Sequence, residues 1–308
     1  MTDANSQELH RVLTALTLNR QPGWHFPGHF FDVSFDELNP GNASLSILPD
    51  RHCELADGQS HMAALSILAD LAMSAAMRGL TDFAMRMATV TMSLQFTGAA
   101  RRGLLQARGQ FDGFVQGPSG PRDQGLCRAE IHAGNALVCT VTGSFLAMRR
   151  QTGAPMLPRK REESAAVEAL SPEALTGEEH ALYERAREAL KPGPDSFIER
   201  FWDLRPQRDG QGATCRLDNG MHVSNRVGHT QGGITLALAA LTANAALGEQ
   251  WQLAGISSWY VRPGTGTGLQ ARATVMHQGS YTAVVDVDVT DDKGETVLRA
   301  LSNHTSLR

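Results

Sequence analysis

Two apolar segments dominate the hydropathy pattern of the chain. Residues 61–77 (HMAALSILADLAMSAAM) are apolar on nearly every face of a helix and carry one carboxylate, Asp70, in the interior. Residues 232–247 (GGITLALAALTANAAL) are again almost wholly apolar. A helix that is apolar all round belongs in a core. A lone acid there is costly unless it is paired or put to use.

Period-two patterns surround the first segment. NASLSILP, ATVTMSLQFT (88–97), GLLQARGQF, GLCRAEIHAG and ALVCTVTGSFLAM read as strands. The pattern predicts a short amphipathic helix over 6–18 with Ser6 as N-cap, a loop over RQPGWHFPGHF and a hairpin loop over QGPSGPRDQG. From residue 149 the character changes. RRQTGAPMLPRKREES is basic and proline-containing, and SPEALTGEEHALYERAREAL reads as a helix with Ser171 as N-cap and Pro172 in its first turn.

The first pattern then returns. SFIERFWDLRP echoes HFFDVSFDELNP, GATCRLDNG parallels NASLSILPD, and MHVSNRVGHTQ leads into the second apolar helix. ISSWYVRPG parallels VTMSLQFTG, GLQARATVMHQG repeats the QAR of GLLQARGQF, and DDKG turns the closing hairpin. This is an internal duplication with diverged halves. The expected organisation is a first domain over 1–150, a linker carrying surface helices over 151–195, and a second domain over 196–308. Each domain is expected to be α+β, a long central helix wrapped by a curved antiparallel sheet.

Composition narrows the function classes. A chain of 308 residues accommodates two cores. The formal net charge of −4 gives no electrostatic footprint for nucleic acid. Cys53, Cys127, Cys139 and Cys215 are scattered without a CxxC pair, which argues against a disulfide framework or a zinc site and suits a reducing cytosol. No cluster of His, Cys or acids has metal-ligand spacing. The N-terminal residues lack a basic stretch followed by an apolar one, and the longest apolar runs are expected to fall short of a membrane span. The expectation is a cytoplasmic protein with no membrane or nucleic-acid partner and no metal or redox cofactor.

One motif recurs in complementary states of decay. In the family that it resembles, the motif reads Asn, then Gly three residues on, His three further on, then Gly-Gly, and Leu-Ala-Asp with the Asp nine residues after the His. The first half has Gly58, His61 and Leu68-Ala69-Asp70, with Leu55 in place of Asn and Met62-Ala63 in place of Gly-Gly. The second half has Asn225, Gly228 and Gly232-Gly233, with Gln231 in place of His and Ala240 in place of Asp. On these residues both halves, though not the linker, resemble the hotdog-fold acyl-CoA thioesterases of the phenylacetate-pathway-like superfamily. The resemblance implies two hotdog domains packed as a pseudo-dimer, with composite sites between them. One unit gives a carboxylate from mid-helix, and the other gives a backbone N–H at its helix N-terminus. Of the two sites, one joins Asp70 to Asn225, Gln231 and Gly232 and keeps both chemical halves. The other joins Ala240 to Leu55, His61 and Met62 and has lost both. The resemblance further implies an acyl-CoA substrate, with coenzyme A as part of the substrate rather than a cofactor, and a homodimer of tandem chains.

Physical chemistry points the same way without the family. A helix N-terminus presents unpaired N–H groups and positive dipole potential that suit a developing oxyanion, and glycine lets a ligand approach its backbone. An acid enclosed by apolar side chains is desolvated, as functional acids often are. It could attack the thioester carbonyl or activate a water. Thr89, at the start of the strand after the Asp70 helix, is a further candidate through the resemblance, and Ser74, one turn beyond Asp70, a weaker one. Each candidate has a plainer explanation. Asp70 could be held by a local hydrogen bond or by Arg78, Gly232-Gly233 could serve helix packing, and Asn225 could shape a turn. Gln231 could be an ordinary polar group at a helix start, Thr89 a strand residue, and His61 a capping residue. His229 could stand in for the missing His. Arg101-Arg102, Arg149-Arg150 and Arg159-Lys160-Arg161 could meet coenzyme A phosphates, although a solvated surface is the plainer expectation. Two rivals to thioester hydrolysis remain: hydration or dehydration of an enoyl thioester, which usually pairs a His with an acid, and acyl-CoA binding without catalysis. The pairing of half-sites makes a direct prediction. Substitutions at His61 should affect thiol release from an acyl-CoA far less than substitutions at Gly232, and the reverse order would show that the halves pair otherwise.

Overall fold

The computed structural model describes residues 3–308 apart from 82, 84, 119, 150–157 and 211. Helix α1 (Asp3–Asn19) is followed by a short helix α2 (Phe26–Phe30) and the strands β1 (Ser34–Asn39) and β2 (Asn42–Ile47). The central helix α3 (Met62–Arg78) precedes β3 (Met85–Phe96), β4 (Leu105–Gly117), β5 (Gly120–Ala133) and β6 (Ala136–Arg149). Two further helices, α4 (Arg161–Ala165) and α5 (Gly177–Ala189), lead to the second half. There α6 (Phe197–Trp202), β7 (Gln207–Asp209) and β8 (Gly212–Asp218) come before the second central helix, α7 (Gly232–Leu247). The chain closes with β9 (Trp251–Tyr260), β10 (Gly268–Gln278), β11 (Thr282–Asp291) and β12 (Thr296–Ser306).

These strands form one antiparallel sheet in the order β1-β2-β4-β5-β6-β3-β9-β12-β11-β10-β8-β7. Read inward from either edge, the order is the same once each strand is matched to its repeat. The two halves join where β3 pairs with β9, from Thr91 opposite Trp259 to Gln95 opposite Gly255. Helix α3 packs on β2, β4 and β5, and α7 on β8, β10 and β11. Every residue of α3 is buried, so the apolar side chains around Asp70 have the cover that their pattern requires. The two central helices also pack on each other. At this crossing a Cβ on Gly233 would stand 2.5 Å from the Ser66 carbonyl oxygen, so only glycine admits the approach.

The duplication extends to backbone detail. Asp32 follows Phe30-Phe31 with φ 52°, and Asp203 follows Phe201-Trp202 with φ 53°. The loops before the central helices carry matching bridges, Glu54 with Ser60 and Ser224 with Thr230. The aromatic pairs of the two repeats pack on one another, Phe30 tilted against Phe201 at 5.5 Å and Phe31 edge-on against Trp202 at 5.3 Å.

The structure corrects several local expectations. Helix α1 begins at Asp3, so Ser6 lies inside it rather than at its cap. FPGHF is helical rather than loop: Pro27 sits in the first turn, where its missing N–H costs nothing, and the His25 ring accepts from the Gly28 N–H at 3.2 Å. SFIERFW is likewise a helix, so the echo is of short helix with short helix. QGPSGPRDQG is mostly strand: pairing continues to Gly117 opposite Gly120, although residue 119 lies outside the described residues. Ser171 caps only a 3-10 turn (Pro172–Ala174), and α5 takes Thr176 as its own cap. That helix docks on α1, where the Arg20 Nε donates to Glu179 at 2.8 Å. Residues 151–157 of the expected linker, and Arg150 before it, lie outside the described residues. Finally, Met62–Thr81 is long and apolar enough to cross a membrane, contrary to expectation, but 89% of its apolar window is buried inside the protein.

Six histidines are buried among the described residues, and desolvation pushes His25, His29, His52, His61 and His222 down to about 3 and His304 to about 4. Unfolding frees them to bind protons from their ordinary value of 6.5 downwards, so stability falls as pH drops from 6.5 towards 3. Each histidine fully neutral in the native state contributes about 1.4 kcal/mol per pH unit in that window. Urea titrations at pH 7 and pH 5 should therefore show a lower unfolding free energy at pH 5. A higher value at pH 5 would contradict this burial.

Candidate active site

Asp70 projects from the middle of α3 and is 6% exposed. Its Oδ1 accepts from the Thr89 hydroxyl at 2.7 Å, and its Oδ2 from the Gln231 side-chain amide at 2.6 Å. Thr89 lies on β3 of the same half, where a register irregularity between Thr89 and Thr91 interrupts the pairing with β6. Gln231 comes from the other half as the N-cap of α7, and its Oε1 accepts from the Ile234 N–H at 3.0 Å. One side chain thus caps the second central helix with one end and holds the acid of the first with the other. Burial pushes the Asp70 carboxyl up to about 6, partly offset by the Thr89 hydrogen bond, the charge of Arg78 and the Gln231 hydrogen bond.

Gly232 opens α7 beside this carboxylate. A Cβ there would stand 2.9 Å from the Thr89 Oγ1 and 3.5 Å from the Asp70 Oδ1. The cap takes up the first inner donors of the helix, since Gln231 receives Ile234 N–H through its side chain and Thr235 N–H through its backbone oxygen. The N–H groups of Gly232 and Gly233 have no partner among the described residues, and of the two only Gly232 lines the cavity described next. The Tyr260 hydroxyl donates to the Gly232 carbonyl at 2.7 Å. Burial, and after it the charge of Asp70, push the Tyr260 phenol well above its ordinary value.

These groups line a cavity of about 360 Å³. Its apolar walls include Leu71, Met87, Val90, Leu146 and Val261, and its polar lining includes Asn225, His229 and Arg86. The structure brings Asp70, Thr89, Gln231 and Gly232 into contact range. Asn225 lines the same cavity without touching Asp70, and its Oδ1 accepts from the N–H groups of Val227 and His229, which shapes the loop before α7. Ser74 does not line the cavity; its hydroxyl donates to the Leu71 carbonyl and accepts from Arg78. His61 caps its own helix, its Nδ1 accepting from the Ala63 N–H at 3.2 Å. His229 lines the cavity, and burial lowers it. Burial also pushes the Cys53 thiol up to about 12, next to a neutral His52, so that pair is no nucleophile and base. No group of three or more His, Cys, Asp or Glu among the described residues could hold a metal ion.

The basic clusters lie elsewhere. Arg102 donates to the Asp57 carbonyl, Arg159 to the Gln21 side chain, and Arg161 pairs with Asp32. Arg101 lines a different cavity. The arginines at the Asp70 cavity are Arg78, Arg86, Arg226 and Arg262. Arg226 is occupied by the carbonyls of Asn19, Gln21 and Gly23, and Arg262 by Glu295. Sequence reasoning missed Arg86 and Tyr260. Arg86 precedes the expected strand over 88–97 and joins β3 only because that strand starts at Met85, and Tyr260 is a single residue at the end of β9; β3 and β9 lie side by side at the seam between the halves.

Comparison with known proteins supports the fold. No family model and no curated protein matches the chain. Solved structures match over both halves. An inferred oleoyl thioesterase from Lactobacillus plantarum is 11% identical with a TM-score of 0.56, covering 88% of this chain and 98% of its own. A protein of unknown function with a hotdog fold from Alicyclobacillus acidocaldarius is 10% identical with a TM-score of 0.54, covering 90% of this chain and 96% of its own. A tesB protein from Mycobacterium avium subspecies paratuberculosis is 13% identical with a TM-score of 0.52, covering 89% and 96%. The chain has the α+β hotdog fold, in tandem.

The raised carboxyl of Asp70 makes a linkage prediction. The native state holds this proton up to about pH 6, whereas the unfolded chain releases it near 3.8. Asp70 therefore favours folding below pH 3.8, and that contribution is lost as pH rises through 6, a swing of about 3 kcal/mol. The unfolding free energy of Asp70→Asn minus that of the wild type should rise by about this amount between pH 4 and pH 8. A flat difference would show that Asp70 titrates normally.

Proposed function

We propose that this tandem hotdog chain is an acyl-CoA thioesterase with one composite active site, Asp70 from the first half and the start of α7 from the second. The single observation that carries this is the Asp70 carboxylate bound to Gln231 beside the open N–H of Gly232. In this reading the thioester carbonyl oxygen accepts from the Gly232 N–H, where the helix dipole stabilises the tetrahedral oxyanion. Both Asp70 oxygens already accept a hydrogen bond, which blunts the carboxylate as a nucleophile but leaves lone pairs for a water. Asp70 then acts as general base. It takes a proton from that water as the oxygen bonds to the carbonyl carbon, and the carbon–sulfur bond breaks as the coenzyme A thiolate leaves. A carboxyl raised to about 6 suits that role near neutral pH.

Thr89 and Gln231 orient the carboxylate, Tyr260 holds the Gly232 peptide through its carbonyl, and Asn225 shapes the approach loop. Arg86 forms no ion pair among the described residues and lines the cavity, so it is the proposed contact for a coenzyme A phosphate. Coenzyme A enters and leaves as part of the substrate. Gln231 opposite Asp70 disfavours enoyl-thioester hydration, which needs an acid–base pair there, and both cavity histidines, His25 and His229, are pushed towards neutrality.

Thiol release from a panel of acyl-CoA substrates tests the proposal. Turnover should follow an ionisation near pH 6, falling about tenfold per unit below it, and Asp70→Asn should lower it at least about a thousandfold with the fold intact. Turnover retained by Asp70→Asn would remove Asp70 from the mechanism. Tight coenzyme A ester binding with no thiol release by the wild type would favour a binding protein.

A further inference from the structure

The duplication leaves a second cavity, of about 560 Å³, at the position related to the Asp70 site. Leu55, Met62 and Ala240 line it, each 170 residues from the Asn225, Gly232 and Asp70 that line the first. Acid and glycine are both gone, and Met62 covers the helix start that Gly232 leaves open in the first site. The void itself has not closed. A site that had merely decayed would be expected to fill, because an unfilled core space costs stability.

Its walls are largely apolar, and its polar lining divides into Asp57 and Gln59, which bond each other, and three side chains without such partners. Leu55, Met62 and Leu241 line it together with Arg101, Asn244 and Gln252. The Arg101 guanidinium is half-buried and makes neither a hydrogen bond nor an ion pair among the described residues. Its backbone is fixed, the N–H donating to Gln59 and the carbonyl accepting from Ser60. The Asp57 carboxylate lines the same cavity, but it is already bonded to the Gln59 N–H and side-chain amide and makes no ion pair with Arg101 among the described residues. Burial holds Arg101 below its ordinary value, and Asp57 only partly offsets this. The side-chain amides of Asn244 and Gln252 likewise lack partners among the described residues. A half-buried cation and two free amides around an apolar space call for an anionic acceptor with a hydrocarbon body.

We propose that the second cavity is a non-catalytic site for an apolar monocarboxylate, its carboxylate on Arg101 and its hydrocarbon against Leu55, Met62 and Leu241. This ligand class is what the hydrolysis proposed above would release, so its link to the first site rests on that reading, whereas the binding itself does not. The site has no acid to hydrolyse anything and no open glycine N–H, so it binds and releases its ligand unchanged.

Calorimetric titration of the full chain with decanoate tests this, with Trp251 emission as a local reporter because Trp251 lines the cavity. The wild type should show a saturable site with a change in Trp251 emission. Arg101→Gln should weaken binding at least about tenfold, Arg101→Lys should retain most of it, and Ala240→Phe, which fills the cavity, should abolish it. The absence of saturable binding would overturn the proposal. So would binding that survives Arg101→Gln but is lost in Arg86→Gln, because the ligand would then occupy the first cavity. Decanoate binding that depends on Arg101 in a protein releasing no thiol from acyl-CoA would support this site and contradict only the hydrolase reading.

Discussion

The constraint on which the site depends is the capture of one buried carboxylate by two neutral donors. Asp70 receives Thr89 from its own half and Gln231 from the other, and both of these hydrogen-bond donors are neutral, while the charge of Arg78 acts on the carboxylate as well. Neutral donors satisfy hydrogen bonding without neutralising the charge, so desolvation prevails over them and over the charge of Arg78, and the carboxyl rises to about 6. An arginine in place of Gln231 would have made a stable ion pair and an inert acid. Gln231 also caps α7, so the geometry of the acid and the start of the opposing helix cannot drift apart.

That coupling requires the two central helices to meet closely. Gly233 lets α7 cross α3 against the Ser66 carbonyl, and Gly232 leaves room for Thr89 and Asp70. The same pseudo-twofold relation generates the opposite crossing, where Met62 and Ala240 occupy the equivalent positions. One twelve-stranded sheet carries both. The halves can therefore diverge in chemistry while remaining bound to a common backbone, down to the matching φ of Asp32 and Asp203.

Much of this was legible in the sequence, for identifiable reasons. The echo of HFFDVSFDELNP in SFIERFWDLRP and the return of QAR from GLLQARGQF in GLQARATVMHQG exposed the repeat, because matching strands keep matching alternation. The two all-round apolar stretches announced central helices because a buried helix tolerates few polar residues. Thr89 was placed only through the family resemblance. Other features depend on interactions that local sequence does not encode. FPGHF folds as a helix through the His25 cap and the docking of Phe30 on the second repeat, against the usual effect of its proline and glycine. Residues around Gly117 and Gly120 have turn composition but are held in strands by cross-strand pairing. Tyr260 and Arg86 lie on β9 and β3, the two strands that meet at the seam between the halves, a long-range pairing that no periodicity reveals. Arg101 looked like part of a solvated charge cluster, yet it lies half-buried at the second cavity.

The central claim is that one active site is assembled from complementary halves. A crystal structure of the Asp70→Asn variant with an acyl-CoA bound tests it most directly. The account predicts the thioester in the cavity between α3 and α7 at Gly232, its carbonyl oxygen within hydrogen-bonding distance of the Gly232 N–H. A thioester seated instead at Met62 and Ala240, or with its carbonyl turned away from Gly232, would contradict it.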